Sequence, residues 1–189
     1  MKRIGILGGT FNPIHMGHLM IAQMVREKFR LERVIFVPCY LPPHKSGKGV
    51  IPAPERLRMV RLAIQGNAFF EASAVEVQRK GRSYSIDTAD YFRRRYPRGK
   101  LFFIIGNDHL PTLPAWRRIQ DLVRRVSFIA VYRPGVKPQR SKIKVHNVAI
   151  PGIPIASSDI RRRLVLDKTV KYLVPEKVLR YIQERRLYR

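Results

Sequence analysis

The chain contains one cysteine, Cys39, in 189 residues, so no disulfide can form within it. Acidic side chains are also few: 13 Asp and Glu stand against 38 Lys and Arg, a formal charge of +25. No apolar run approaches the roughly 18 residues that cross a bilayer. The stretch after Met1-Lys2-Arg3 is Ile4-Gly5-Ile6-Leu7, too short for the core of a secretion signal. A cytoplasmic protein with no membrane attachment is expected. No internal repeat or low-complexity tract is present. The glycines match neither G-x-G-x-x-G nor G-x-x-x-x-G-K-[ST], which excludes the dinucleotide fingerprint and P-loop chemistry. The length suits a single domain, residues 1–189, and an apolar fraction of 45% is that of a globular protein.

The charge favours contact with anions, either polyanions or small phosphorylated substrates. Its arginine clusters, at 93–95, 117–118, 124–125, 161–163 and 185–186, are scattered rather than gathered in one block. Spreading over solvated helix faces is the plainer account. A nucleic-acid-binding module is the alternative class, but no zinc finger, RNP-type aromatic motif or single basic block supports it. A dedicated nucleic-acid partner is therefore not expected.

What is present is concentrated first at Gly8-Gly9-Thr10-Phe11-Asn12-Pro13-Ile14-His15-Met16-Gly17-His18. A short buried strand precedes it, and a helical pattern over residues 19–29 follows. Strand, glycine turn and helix N-terminus in that order make a cradle for an anion, because glycines admit close backbone approach and the helix start points N–H groups at it. His15 and His18 lie three residues apart and can face one point. They could in principle hold zinc, but no cysteine lies nearby and there is no H-E-x-x-H, so no protein metal site is expected; the alternative is that they face an anion in the cradle.

Residues 33–38 then read as a second buried strand, completing a right-handed βαβ unit with parallel pairing. A loop rich in Pro, Gly and Lys spans 40–54 and includes His44 and Lys45; it is either a lid over an anionic ligand or an ordinary connection. A helix over 54–65, a diluted third strand over 69–77 and a helix from Ser83-Tyr84-Ser85 to Tyr96 follow. Residues 100–106 give the strongest strand signal, an apolar run suited to the centre of a parallel sheet. Asp108 falls just past its carboxyl end, as a ribose acceptor or a helix cap. Trp116 is either core or a plate for stacking a ring. Strands over 126–132 and 145–150 flank a polar excursion over 136–144. Ser157, Ser158 and Asp159 are N-cap types at another helix start, and Arg161 falls in its first turn, making a second anion site or simple capping. A last amphipathic helix covers 176–186.

The opening G-G-T-F-N-P-I-H-x-G-H resembles the nucleotidyltransferase superfamily with its [H/T]-x-G-H signature. With Pro42-Pro43-His44-Lys45, Ser83-Tyr84-Ser85-Ile86-Asp87-Thr88, Phe103 to Asp108 continuing to Trp116, Arg133-Pro134-Gly135, Ile155 to Arg161, Tyr172-Leu173-Val174-Pro175 and Leu187-Tyr188, the chain is similar to the bacterial nicotinate-nucleotide adenylyltransferase family. Ala156 and Ser158 depart from the family's I-S-S-T-x-I-R, Asn107 from its G-A-D, and Ser85 from its S-Y-T.

The resemblance implies an α/β fold, a Rossmann-like doubly wound parallel sheet with a small helical C-terminal portion at about 157–189. It implies adenylyl transfer from ATP to nicotinate mononucleotide, giving nicotinate adenine dinucleotide and pyrophosphate in NAD biosynthesis. Enzymes acting on phosphopantetheine or nicotinamide mononucleotide are the runners-up within the class. His15 and His18 are then the catalytic pair. Gly8, Gly9, Thr10, Phe11, Gly106, Asp108, Ser157, Ser158 and Arg161 take ATP. His44, Lys45, Tyr84, Ser85, Trp116 and Arg133 take the mononucleotide. Mg²⁺ comes bound to the ATP phosphates, and the oligomeric state stays open.

Overall fold

The computed structural model describes residues 1–42, 49–132, 136–137, 139–151 and 154–188. Six strands, β1 (Arg3–Gly9), β2 (Arg33–Pro38), β3 (Phe70–Ala72), β4 (Lys100–Gly106), β5 (Ser127–Tyr132) and β6 (Val145–Ala149), form one sheet. Its order is β3-β2-β1-β4-β5-β6, and every pairing is parallel. Continuous apolar runs such as Leu101-Phe102-Phe103-Ile104-Ile105 give central strands buried on both faces. The helices are α1 (Met16–Lys28), α2 (Ala53–Ala63), α3 (Val75–Arg79), α4 (Ser85–Arg95), α5 (Ile119–Arg125), α6 (Ser157–Val165) and α7 (Glu176–Glu184).

Alternate strand residues feed two cores. Val34, Phe36, Phe102, Ile104, Ile129 and Val131 pack with α1, α2, α6 and α7 on one face. Ile35, Val37, Phe103, Ile105, Phe128 and Ala130 pack with α4 and α5 on the other. The doubly wound parallel sheet expected from the sequence is thus what forms. The C-terminal helices belong to the first core, since Ile160, Val170, Val174, Val178 and Ile182 share the cluster of Leu7, Phe11 and Ile14. Tyr181 also donates to Glu55 at 2.6 Å and Arg185 at 3.2 Å, fastening α7 to α2.

The third strand is shorter than the sequence pattern suggests. Pairing stops at Ala72, and Val75–Arg79 turns as α3. Ser73 ends the strand by accepting from the N–H of Val75 at 3.4 Å, a local hydroxyl–backbone turn. Glu76 is then buried, accepting from the Thr88 hydroxyl, which an alternating strand would not achieve. The described part of the 136–144 excursion carries neither helix nor strand and is largely exposed.

The strand order reverses between β1 and β4, and this positions the site. β1 pairs with β4 only as far as Leu7 and Ile104, but with β2 as far as Gly9 and Pro38. β4 continues with β5 to Gly106 and Val131. A crevice therefore opens between the carboxyl ends of β1 and β4, the place where open α/β sheets receive ligands.

Candidate active site

Gly8 and Gly9 end β1 at this crevice. A Cβ at Gly9 would fall 2.9 Å from the Phe11 ring, so that position has room only for hydrogen. Phe11 adopts φ 49°, and its buried ring stands edge-on to His18 at 5.0 Å. After the cis Asn12–Pro13 peptide the chain enters α1 with His15 at the N-cap.

The two imidazoles stack, with centroids 3.7 Å apart and planes inclined 28°. Gly17 makes this stack fit: a Cβ there would press on His15 at 3.1 Å from Nδ1. The backbone N–H of His15 donates to Nδ1 of His18 at 3.2 Å. In its neutral form His18 therefore carries its proton on Nε2, which leaves that nitrogen as a donor. Burial lowers the pKa of His15 to about 4. Burial, and secondarily the neighbouring His15, lowers that of His18 well below the usual imidazole value. Both rings are neutral at pH 7, and Nδ1 of His15 is buried without a partner among the described residues.

The start of α6 reaches the same loop from the far end of the chain. Ser157 Oγ donates to the carbonyl of Pro13 at 2.9 Å, and Nη1 of Arg161 to that of Asn12 at 2.8 Å. The N-cap position itself belongs to Ala156, not to a serine or Asp159, and Ser158 is exposed. Asn12 is a junction the sequence did not single out. Its side chain donates to Gly49 O at 2.9 Å and accepts from the Tyr188 hydroxyl at 2.9 Å. Burial raises the Tyr188 phenol well above its ordinary pKa. The Leu173 carbonyl accepts from the Met16 N–H at 2.9 Å, satisfying one of the donors at the α1 start.

Across the crevice, Gly106 ends β4. A Cβ on it would lie 2.3 Å from Oδ1 of Asp108, whose carboxylate folds back over the strand end while staying exposed. Asn107 holds a different segment, accepting from the Gln139 N–H at 2.8 Å. Trp116 is half-buried, its ring edge-on to Phe128 at 6.2 Å and to His109 at 6.0 Å. It packs into the core along one edge and keeps part of its surface open. Tyr84 is the N-cap of α4, Ser85 opens the helix, and the Arg117 guanidinium lies 4.5 Å above the Tyr84 ring.

His44, Lys45 and Arg133 lie outside the described residues. Among the described residues no three His, Cys, Asp or Glu side chains gather as metal ligands, and no helix is long and apolar enough to cross a membrane. Two buried charged residues escaped the sequence reading. Arg56 falls on the apolar row of α2 with Met59 and Val60, a signal in the helical spacing that was available. Glu76 falls in the stretch whose pattern reads as strand, and that pattern carries no sign of its burial.

Residues 6–163 match the cytidylyltransferase-like family. A probable nicotinate-nucleotide adenylyltransferase of Desulfitobacterium hafniense is 43% identical over 199 residues, covering 100% of this chain and 96% of that protein. One from Pelobacter propionicus is 43% identical, with 98% of each chain covered. The chain belongs to the nicotinate-nucleotide adenylyltransferase family. The fold agrees: the Plasmodium falciparum nicotinic acid mononucleotide adenylyltransferase complexed with NaAD superposes with TM-score 0.80 at 20% identity, covering 100% of this chain and 98% of that one. The H-x-G-H element of this family member is therefore the glycine-spaced imidazole stack at the crevice.

Proposed function

We propose that this protein transfers the adenylyl group of ATP to nicotinate mononucleotide, releasing pyrophosphate and forming nicotinate adenine dinucleotide. The observation that carries the reading is the neutral His15–His18 stack at the start of α1, in the crevice where the strand order reverses. Family membership supports the same reaction.

The chemistry needs no general base. The attacking group is a phosphate oxygen whose second pKa is about 6, so it is already ionised at neutral pH. The protein must align two anions and stabilise the charge that grows on the α-phosphate. Nε2–H of His18 is the donor for that charge, and His15 fixes the orientation of His18 through the stack and the N–H to Nδ1 bond. The glycine loop with Thr10 and Phe11 shapes the ATP pocket. Ser158 and the remaining donors of Arg161 serve the β- and γ-phosphates, while Ser157 sets the loop through Pro13. Gly106 and Asp108 lie along the adenosine. Trp116 offers its face to the pyridinium ring, a cation that an indole attracts, and Tyr84 and Ser85 border the carboxylate. His44, Lys45 and Arg133 are assigned to the mononucleotide by motif alone.

Apart from the single exposed carboxylate of Asp108, the crevice groups are imidazole, hydroxyl, guanidinium and N–H, a set suited to anions rather than a magnesium cage. Such a site fits Mg²⁺ carried on ATP, where the ion would supply charge that shields the phosphates from the incoming nucleophile. The test is pyrophosphate release with ATP and Mg²⁺, comparing nicotinate mononucleotide, nicotinamide mononucleotide and phosphopantetheine. Fastest release with the first is expected; preference for either of the others overturns the substrate assignment.

A further inference from the structure

The end of β2 and the Tyr84–Ser85 wall must keep a fixed distance from the glycine loop if two nucleotides are to meet between them. Arg56 stands between these parts. It is 1% exposed and the largest fully buried side chain among the described residues. A guanidinium keeps its charge at any physiological pH, so burying one is costly unless its N–H groups find acceptors. Here the acceptors are main-chain carbonyls. Nε donates to Ile51 O at 3.0 Å, Nη1 to Thr10 O at 2.7 Å and Nη2 to Tyr40 O at 2.9 Å. These belong to the segment entering α2, the glycine loop and the chain just past β2.

Tyr40 is held through its N–H as well as its carbonyl. Its N–H donates to Ser83 Oγ at 2.9 Å, and the Ser83 N–H donates to Leu41 O at 3.0 Å. Ser83 directly precedes Tyr84, the N-cap of α4. A strap of hydrogen bonds, linked through the backbone of Tyr40, thus runs from Thr10 through Arg56 to Ser83.

We propose that Arg56 is a positioning residue for the transfer reaction, setting the spacing between the ATP loop and the mononucleotide wall through this strap. The inference rests on the adenylyl-transfer reading above. Since in-line attack requires both substrates at contact distance, a slackened strap lowers kcat more than it changes either KM. Lysine keeps the charge but has one nitrogen, which cannot reach three diverging carbonyls.

Arg56→Lys, Ser83→Ala and the double variant are compared with wild type in one assay for dinucleotide formation. Folded protein is quantified by circular dichroism and thermal melting, well below each melting temperature. Arg56→Lys is expected to lower kcat per folded molecule by about 10- to 100-fold, with each KM within about threefold. Ser83→Ala acts in the same direction more weakly, and Ser83→Thr restores it. The double variant loses less than the product of the singles, because both act on the backbone of the same residue, Tyr40. If Arg56→Lys does not fold, the Ser83 pair decides alone. A kcat within about twofold of wild type in the folded single variants, or a multiplicative double variant, overturns the proposal. A wild-type protein that forms no dinucleotide refutes the underlying reaction instead, and the positioning role falls with it.

Discussion

Burial of the imidazole pair makes the stability of this protein depend on pH between about 4 and 6.5 in a defined direction. His15 has its pKa lowered from 6.5 to about 4 by desolvation. The native state therefore resists protonation that the unfolded chain accepts, and stability present above pH 6.5 is lost as pH falls toward 4. The full loss is about 3 kcal/mol for His15, of which about 1 kcal/mol is felt by pH 5.5. His18 contributes with the same sign. Glu76 contributes with the opposite sign, because burial raises its pKa and its stabilisation fades as pH rises through that raised value. His15→Asn isolates the effect, since asparagine serves as an N-cap and does not titrate. Urea unfolding of wild type and His15→Asn is to be measured at pH 7.5, 6.5 and 5.5. The stability difference between them should move by about 1 kcal/mol against wild type on acidification, or a few degrees in melting temperature, on the order of 3 °C. A difference that stays constant over this range would refute the assignment of a buried neutral imidazole.

Three further outcomes follow from the site. His18→Ala should lower kcat by about 10²- to 10³-fold, because it removes a donor to transition-state charge; single-turnover kinetics on the folded variant checks this, and near-normal turnover would remove His18 from the mechanism. Trp116→Ala should raise the KM for the mononucleotide by roughly tenfold through lost stacking while leaving that for ATP nearly unchanged; equal effects on both substrates would make Trp116 a core residue only. Tyr188→Phe should destabilise by about 1 kcal/mol, from loss of the bond to Asn12 at 2.9 Å; an unchanged denaturant midpoint would mean that bond is not a net tether.

The sheet was legible because its central strands are continuous apolar runs and its first turn carries glycines with a steric reason. The glycine of H-x-G-H needs no alignment to explain it: a side chain at position 17 would push into His15. The Phe70–Ala72 strand was overextended because Val75 and Val77 supply β-branched residues that α3 uses in a helix. Tertiary packing of Glu76 against Thr88 prevailed there over local preference. Spacing alone could not show that Ser157 and Arg161, expected at an anion site, clamp Pro13 and Asn12 from roughly 145 residues away in sequence. Arg56 shows the same limit: its place on the apolar row of α2 signals burial, but the main-chain carbonyls that satisfy it leave no mark in the sequence.

Transfer of the α-phosphate is the claim on which the rest depends. ATP labelled at the α-phosphate, incubated with nicotinate mononucleotide, Mg²⁺ and enzyme, tests it by following the label through product separation. The account predicts label in nicotinate adenine dinucleotide with one pyrophosphate released per dinucleotide formed. Label appearing in ADP, with a phosphorylated acceptor in place of the dinucleotide, would contradict it.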